Sequence, residues 1–186
     1  MDVRRDCTRL VKKINESNFN PDCIVYIKSG AYLVGKEMSQ CLNIKFKGLR
    51  ITRLGNGGKE KMKFILKVLP KSVKYLLREF EFKSGIHKKG NRRFVKDIDS
   101  NLVSGKNILL VDDSVDTGNT ISFAIDFLKK NYGQDLIIKV AALNKFKISE
   151  NIINTDYYIY EDSIIIYPWS KDSKQYEEFI NIYNSN

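Results

Sequence analysis

The stretch ILLVDDSVDTGNTI, residues 108–121, decides the fold. An apolar run ends in two adjacent acids, Asp112 and Asp113, and DTGNT then opens a segment whose apolar residues recur at helical spacing. This order predicts a buried strand, a loop over residues 112–118 and a helix over residues 119–132. Ligands of open α/β sheets bind beyond the carboxyl ends of the strands, so this loop is the candidate site.

The residue types in this loop suit a phosphorylated sugar. Residues 117–120 supply backbone N–H groups and hydroxyls at a predicted helix N-terminus, where an anion is favoured. Gly118 lets the backbone approach a ligand closely. Asp112 and Asp113 can accept hydrogen bonds from vicinal hydroxyls or hold Mg²⁺ through water. A chance strand-to-helix turn with capping side chains explains the polar residues, but not two acids at a strand end.

The rest of the chain alternates predicted strands with predicted helices. The apolar patterns predict helices over residues 2–16, 32–42 and 176–183, strands over residues 23–27, 136–143, 157–160 and 164–167, and one or two strands within residues 44–52. Such alternation implies right-handed βαβ units. We therefore expect an α/β protein with a mainly parallel twisted sheet flanked by helices.

Composition excludes several classes of protein. Of the 186 residues 42% are apolar, which is enough for the core of one domain spanning residues 1–186. No apolar run approaches the ~18–20 residues that a membrane span requires, so we expect no membrane partner. The three cysteines lack CxxC spacing, which implies neither a disulfide framework nor a zinc site and indicates a cytoplasmic location.

Positive charge is concentrated in the middle of the chain. Residues 45–96 contain seventeen Lys or Arg and three acids, whereas the remaining residues contain fifteen bases and nineteen acids. Such a segment attracts polyanions, including nucleic acid, or simply forms a solvated surface. Within it, residues 54–93 are predicted to form a basic insertion that is partly helical and partly flexible. His87, the single histidine, lies in its polar end and is expected to be exposed.

The stretch 108–121 resembles the phosphoribosyl pyrophosphate (PRPP) signature of the type I phosphoribosyltransferases. That resemblance implies their fold, with a small hood beside the sheet, and their use of Mg²⁺. In the family, the paired acids contact the ribose hydroxyls directly or through Mg²⁺, and the loop that follows binds the 5′-phosphate. By resemblance the ribose and metal roles fall on Asp112 and Asp113. The phosphate role falls on Asp116, Thr117, Gly118, Asn119 and Thr120.

Asp116 makes the pattern similar to the 6-oxopurine branch of the family. In that branch an Asp at this place faces purine N7 and exchanges a proton with the base. A carboxylate suits this task, because charge shifts within the purine as the glycosidic bond forms. The resemblance thus implies that Asp116 is the catalytic residue. The alternative is that Asp116 only caps the helix that follows.

Weaker matches extend the resemblance to two other parts of the site. Lys28, Ser29 and Gly30 follow the first predicted strand, where the family binds pyrophosphate in a short loop. Lys28 adds charge and Gly30 adds backbone freedom there. Lys145 follows a later strand, where the 6-oxopurine enzymes place a lysine that donates to purine O6. Any surface lysine would give the same pattern at this position.

The C-terminal part of the sequence resembles the base-covering segment of bacterial xanthine-guanine enzymes. The resemblance implies base contacts for Ile164 and Trp169. Ile164 stands where the family has a stacking aromatic residue, and Ser170 stands where the family has an acid. Burial in the core is the alternative for Trp169.

The sequence therefore predicts a Mg²⁺-dependent phosphoribosyltransferase that joins a nitrogenous base, most simply a 6-oxopurine, to C1 of PRPP. Two alternatives stay open at this point. One is a non-catalytic sensor of PRPP or a nucleotide that binds nucleic acid through its basic segment. The other is a PRPP-dependent enzyme with an unusual acceptor. Family members commonly form homodimers.

Overall fold

The computed structural model describes residues 2–28, 30–53, 93–170 and 173–184. The predicted basic insertion lies outside these residues except for Arg93, which begins a strand. Ser29 and His87 also lie outside the described residues. The predictions made for these parts of the chain, and the prediction of a single domain, therefore stay predictions.

The described elements alternate in the predicted manner. The strands are β1 (Cys23–Ile27), β2 (Lys45–Arg53), β3 (Arg93–Ile98), β4 (Asn107–Val115), β5 (Ile137–Lys145) and β6 (Tyr157–Glu161). The helices are α1 (Val3–Asn15), α2 (Tyr32–Leu42), α3 (Asn119–Tyr132) and α4 (Tyr176–Asn184), with a 3₁₀ turn at Lys147–Asn151. No helix among the described residues is long and apolar enough to cross a bilayer.

The strands form a six-stranded sheet in the order β3-β2-β1-β4-β5-β6. All neighbouring pairs are parallel except β2 and β3, which are antiparallel. The predicted α/β class and mainly parallel sheet are thus confirmed. After β1 the chain moves outward on one side of the sheet to β2, and after β4 it moves outward on the other side to β5. The strand order therefore reverses between β1 and β4. In such sheets the crevice beyond the carboxyl ends of the two central strands is the ligand site.

Hydrophobic packing covers both faces of the sheet. Leu109 and Val111 of β4 contribute to the core shared with α1 and α2, whereas Ile108 and Leu110 contribute to the core shared with α3. All four side chains are fully buried. This double burial explains why β4 reads as a continuous apolar run, as central parallel strands do. The apolar run ends at Val111, and the two acids come next in the same strand.

Three details of the secondary structure differ from the sequence predictions. β4 continues through the acids to Val115, so the predicted loop over residues 112–118 begins later than expected. The strand predicted over residues 164–167 is wrong, because Asp162 adopts a left-handed φ of 49° and the chain leaves the sheet. β3 was not predicted, since this edge strand buries only Val95 and lacks an apolar run.

Candidate functional site

The paired acids lie near the carboxyl end of β4, at the point where the strand order reverses. The carboxylate Oδ1 of Asp112 accepts the Asp113 backbone N–H at 2.9 Å, and Oδ1 of Asp113 accepts the Ser114 backbone N–H at the same distance. Asp112 is 6% exposed, while Asp113 is half-buried. The local backbone therefore orients both carboxylates before any ligand arrives.

Burial raises the pKa of Asp112 well above its ordinary value, and the neighbouring charges of Asp113 and Asp116 raise it further. A cation or a hydrogen-bond donor at this place would relieve that unfavourable charge. The described residues contain no group of three His, Cys, Asp or Glu side chains that could hold a metal. Two adjacent carboxylates nevertheless fit Mg²⁺, which is usually bound by one or two carboxylates together with substrate oxygens and water.

Removing the charge of Asp112 is predicted to stabilise the metal-free protein. Because the folded-state pKa of Asp112 lies above the unfolded value, its contribution to stability falls as the pH rises from about 4 through the raised pKa. Asp112→Asn keeps the acceptor for the Asp113 N–H and should raise the melting temperature at pH 7 by about 2–4 °C. Thermal unfolding in a chelator should show this gain shrinking toward pH 4.

The matched control is Asp126→Asn, which removes an exposed carboxylate from α3. This control should leave the melting temperature unchanged, since exposed single charges contribute little to stability. An Asp112→Asn protein that melts below the wild type at pH 7 would show that the folded protein stabilises the ionised Asp112 carboxylate instead of disfavouring it.

The N-terminus of α3 forms the second part of the site. Gly118 precedes the helix with a left-handed φ of 76°, and no side chain in the described part of the chain caps the first turn. Asp116 and Thr117 are exposed, and the Ser114 hydroxyl donates to Oδ1 of Asp116 at 2.9 Å. A pocket with about 260 Å³ of empty space is lined by Asp112, Ser114, Val115, Asp116, Thr117, Gly118, Thr120 and Ile121. Uncapped N–H groups beside such a pocket suit a phosphate.

The loop after β1 contacts the acids directly. A Cβ atom on Gly30 would lie 2.2 Å from Oδ2 of Asp113, so only glycine leaves room for this carboxylate. Lys28, in contrast, is engaged elsewhere. Its Nζ lies 2.6 Å from Oδ2 of Asp97 and 2.7 Å from Oδ1 of Asp99. Burial lowers the pKa of Lys28, but the hydrogen bonds to these two carboxylates outweigh burial and leave the pKa raised.

Lys145 lies in β5 beside Val115 of β4, and its side chain forms ion pairs with two carboxylates. The Nζ of Lys145 donates to Glu150 and lies 3.3 Å from Oε2 of Glu161. It also lies 4.2 Å from the centre of the Tyr158 ring. The hydrogen bond to Glu150 chiefly raises its pKa, against a smaller opposing effect of burial. The ammonium group thus faces two carboxylates, and sequence reasoning found neither of them.

The two residues of the predicted base-covering segment have opposite surroundings. Ile164 is 96% exposed, whereas Trp169 is 8% exposed. The indole Nε1–H of Trp169 donates to Oδ2 of Asp113 at 2.6 Å. The Tyr167 hydroxyl donates to the main-chain oxygen of Asp113 at 3.0 Å. The structure therefore brings Trp169 to the acids and leaves Ile164 in solvent.

A mainly parallel sheet with two acids and a helix N-terminus at its switch point defines an α/β protein whose site suits a phosphorylated ligand. The sequence matches the phosphoribosyl transferase domain family over residues 1–175, and the chain belongs to this family. The family identifies the protein as a phosphoribosyltransferase. No curated protein matches the chain in sequence.

Solved structures that share this fold include purine phosphoribosyltransferases. A purine phosphoribosyltransferase from Pyrococcus horikoshii is 21% identical, with a TM-score of 0.64. The alignment covers 92% of this chain and 90% of that protein, and the two coverages below are given in the same order. A hypothetical protein from Neisseria gonorrhoeae with bound ppGpp is 18% identical, with a TM-score of 0.60 and coverage of 99% and 92%. The Helicobacter pylori xanthine-guanine-hypoxanthine phosphoribosyltransferase is 15% identical, with a TM-score of 0.58 and coverage of 98% and 92%.

Proposed function

We propose that this phosphoribosyltransferase transfers the ribose-5-phosphate group of PRPP to a 6-oxopurine and releases pyrophosphate. The single observation that carries this proposal is the position of Asp116. Asp116 is exposed and lines a pocket that extends from Asp112 to the N-terminus of α3. A base nitrogen held there would have a proton acceptor beside it.

The roles of the pocket residues follow from their chemistry. The first-turn N–H groups and the hydroxyls of Thr117 and Thr120 bind the 5′-phosphate, which the helix dipole favours. Asp112 and Asp113 accept hydrogen bonds from the ribose hydroxyls. The same two carboxylates would hold Mg²⁺ together with oxygens of PRPP. When bound, Mg²⁺ supplies charge neutralisation for the pyrophosphate leaving group.

The reaction then needs one proton acceptor. A purine nitrogen attacks C1 of the ribose from the face opposite the pyrophosphate, the C1–O bond breaks with its electron pair going to pyrophosphate, and the base loses a proton. Asp116 accepts that proton, and the Ser114 hydroxyl orients the carboxylate through its hydrogen bond at 2.9 Å. A general base positioned in this manner contributes about 10²–10⁴-fold to the rate.

Pyrophosphate binding by residues 28–30 is the part of the proposal that requires a rearrangement. Lys28 already has Asp97 and Asp99 as partners, and its side chain is 10% exposed. Two of the three N–H donors at Nζ are thus occupied and the side chain is nearly buried, so a pyrophosphate oxygen would reach Nζ only after the side chain or one of these carboxylates moves. Gly30 needs no such change, since its backbone lies beside Asp113 in the present structure.

The choice of base rests on Asp116 rather than on the other predicted base contacts. Lys145 is paired with two carboxylates, Trp169 is buried, and Ile164 offers only an exposed apolar surface. Contacts of these three residues with a base therefore stay predictions. A cytoplasmic location, a homodimer and nucleic-acid binding through the basic segment also stay predictions.

The proposal predicts base-dependent pyrophosphate release. With PRPP and Mg²⁺, the wild type should release pyrophosphate when hypoxanthine, guanine or xanthine is added, and a chelator should abolish the release. Release with adenine or orotate alone would contradict the assignment of the base. Tight PRPP binding without release would favour the non-catalytic sensor, whose affinity for RNA or DNA should then fall steeply as salt increases.

A further inference from the structure

We propose that Trp169 is a positioning residue, which fixes the Asp113 carboxylate in the orientation that receives the ribose hydroxyls. This inference rests on the proposed function, since it concerns the same PRPP site. It gives Trp169 a role that acts through Asp113 rather than through the base.

The first support is the way in which Asp113 is enclosed. Its Oδ1 accepts the Ser114 N–H at 2.9 Å, and its Oδ2 accepts the indole N–H of Trp169 at 2.6 Å. Gly30 approaches the same Oδ2 so closely that a Cβ atom there would overlap it. Each carboxylate oxygen therefore has a fixed donor, and the group has no room to rotate toward Gly30. The lone pairs of Asp113 that remain free for a ligand therefore point in fixed directions.

The second support is the rigidity of the donor. Trp169 is 8% exposed, and the Tyr167 ring stacks on it with a centroid separation of 5.0 Å and an interplanar angle of 6°. Phe179 of α4 packs against the indole at 6.0 Å. The Tyr167 hydroxyl separately donates to the Asp113 main-chain oxygen at 3.0 Å. The turn at residues 167–169 thus holds Asp113 at both its side chain and its backbone.

This arrangement serves binding more than folding. A donor held by packing costs little to immobilise, so it preorganises the carboxylate and lowers the cost of binding a diol. A hydrogen bond between a neutral donor and a carboxylate is also stronger than one between neutral groups. Trp169 therefore acts on the affinity for PRPP through Asp113, without touching the substrate.

The test compares Trp169→Phe with Phe179→Leu. Trp169→Phe keeps an aromatic ring but removes the N–H, whereas Phe179→Leu loosens the packing and keeps the N–H. Calorimetric titration with PRPP and Mg²⁺ should show affinity reduced about tenfold in Trp169→Phe, the loss expected for one charge-assisted hydrogen bond. Affinity in Phe179→Leu should fall less than in Trp169→Phe, because this variant loosens the packing around the indole but keeps its N–H. Equal affinities in the two variants would overturn the proposal.

A double-mutant cycle separates positioning from general destabilisation. If Trp169 acts through Asp113, then Trp169→Phe should cause no further loss of PRPP affinity in an Asp113→Ala background, which has no side-chain acceptor for the indole N–H. An undiminished further loss of about tenfold would show that Trp169 acts by another route. Wild-type protein that binds PRPP without turning over any base would refute the proposed function but leave this comparison intact. Wild-type protein that does not bind PRPP would refute both.

A measurement on the unmodified protein covers the case in which Trp169→Phe fails to fold. Trp169 is the single tryptophan in the chain, so its emission reports on one indole. A ribose hydroxyl that donates to Asp113 draws charge from the carboxylate that accepts the indole N–H, and this changes the electrostatic surroundings of the indole. Addition of PRPP and Mg²⁺ should therefore shift or quench the emission, with a midpoint equal to the calorimetric dissociation constant. Unchanged emission at saturating PRPP would overturn the proposal.

Discussion

Asp116→Asn is expected to lower kcat for pyrophosphate release by about 10²–10⁴-fold, because the amide cannot accept the proton that the base gives up. The substitution keeps the side-chain volume and an oxygen that can accept the Ser114 hydroxyl. PRPP affinity should therefore stay close to that of the wild type. Steady-state kinetics with a 6-oxopurine, together with PRPP titration, separates these two quantities.

Asp126→Asn is the matched control for this experiment, since it removes an exposed carboxylate from α3, the helix that follows Asp116, beyond its first turn. Its kcat should equal that of the wild type. If Asp116→Asn retained full kcat, the Asp116 carboxylate would not be the proton acceptor, and the proton would have to go to another group. If it lost PRPP affinity in proportion to kcat, Asp116 would act in binding the substrate.

Gly30→Ala is expected to have the second-largest effect. The new Cβ atom would lie 2.2 Å from Oδ2 and 2.7 Å from Cγ of Asp113, so the carboxylate would have to leave its place between Gly30 and the Trp169 indole. We expect PRPP affinity to fall at least about tenfold and the free energy of unfolding to fall by about 1–3 kcal/mol. Calorimetry and denaturant unfolding measure the two effects.

Gly35→Ala provides the comparison, because it makes the same chemical change inside α2. Its Cβ atom would lie 3.0 Å from the Cβ of Tyr26, a core residue, instead of meeting the acids. The tight core contact lowers the free energy of unfolding, whereas the higher helix propensity of alanine raises it. The net change in stability should therefore be small. PRPP affinity should not change. A Gly30→Ala protein with wild-type affinity would show that the Asp113 position is not needed for the ribose.

The parts of the site that could be predicted from sequence are formed by residues that lie close together along the chain. The acids, Gly118 and the start of α3 lie within a dozen residues, so their relation follows from one strand and the helix after it. The parallel sheet follows from the alternation of strands and helices in the same manner. Such features need no knowledge of which distant segments meet.

The parts that could not be predicted are contacts between distant segments. Lys28 meets Asp97 across 69 residues, and Trp169 meets Asp113 across 56 residues. Nothing in the sequence pattern joins these pairs, because each depends on how the sheet and the C-terminal turn pack. Asp97 and Asp99 did carry one signal, since they are acids that closely follow a strongly basic segment.

Lys145 illustrates how tertiary contacts change the meaning of a local match. Its position at the end of β5 agrees with the family pattern, yet Glu150 and Glu161 neutralise its charge. Glu150 lies in the 3₁₀ turn after β5, and Glu161 ends β6. Glu161 comes near Lys145 because β5 and β6 are neighbours in the sheet, whereas Glu150 is brought there by the turn that follows β5. A lysine identified by position alone therefore says little about which base is bound.

The central claim is that the chain forms a nucleotide from PRPP and a 6-oxopurine, and the products of a competition test it most directly. The wild type would be incubated with PRPP, Mg²⁺ and equal concentrations of hypoxanthine, guanine, xanthine, adenine and orotate, and the nucleoside monophosphates would be identified by mass spectrometry. The account predicts one or more 6-oxopurine nucleotides, which disappear with Asp116→Asn and persist with Asp126→Asn. An adenine or orotate nucleotide as the main product, or no nucleotide at all, would contradict the account.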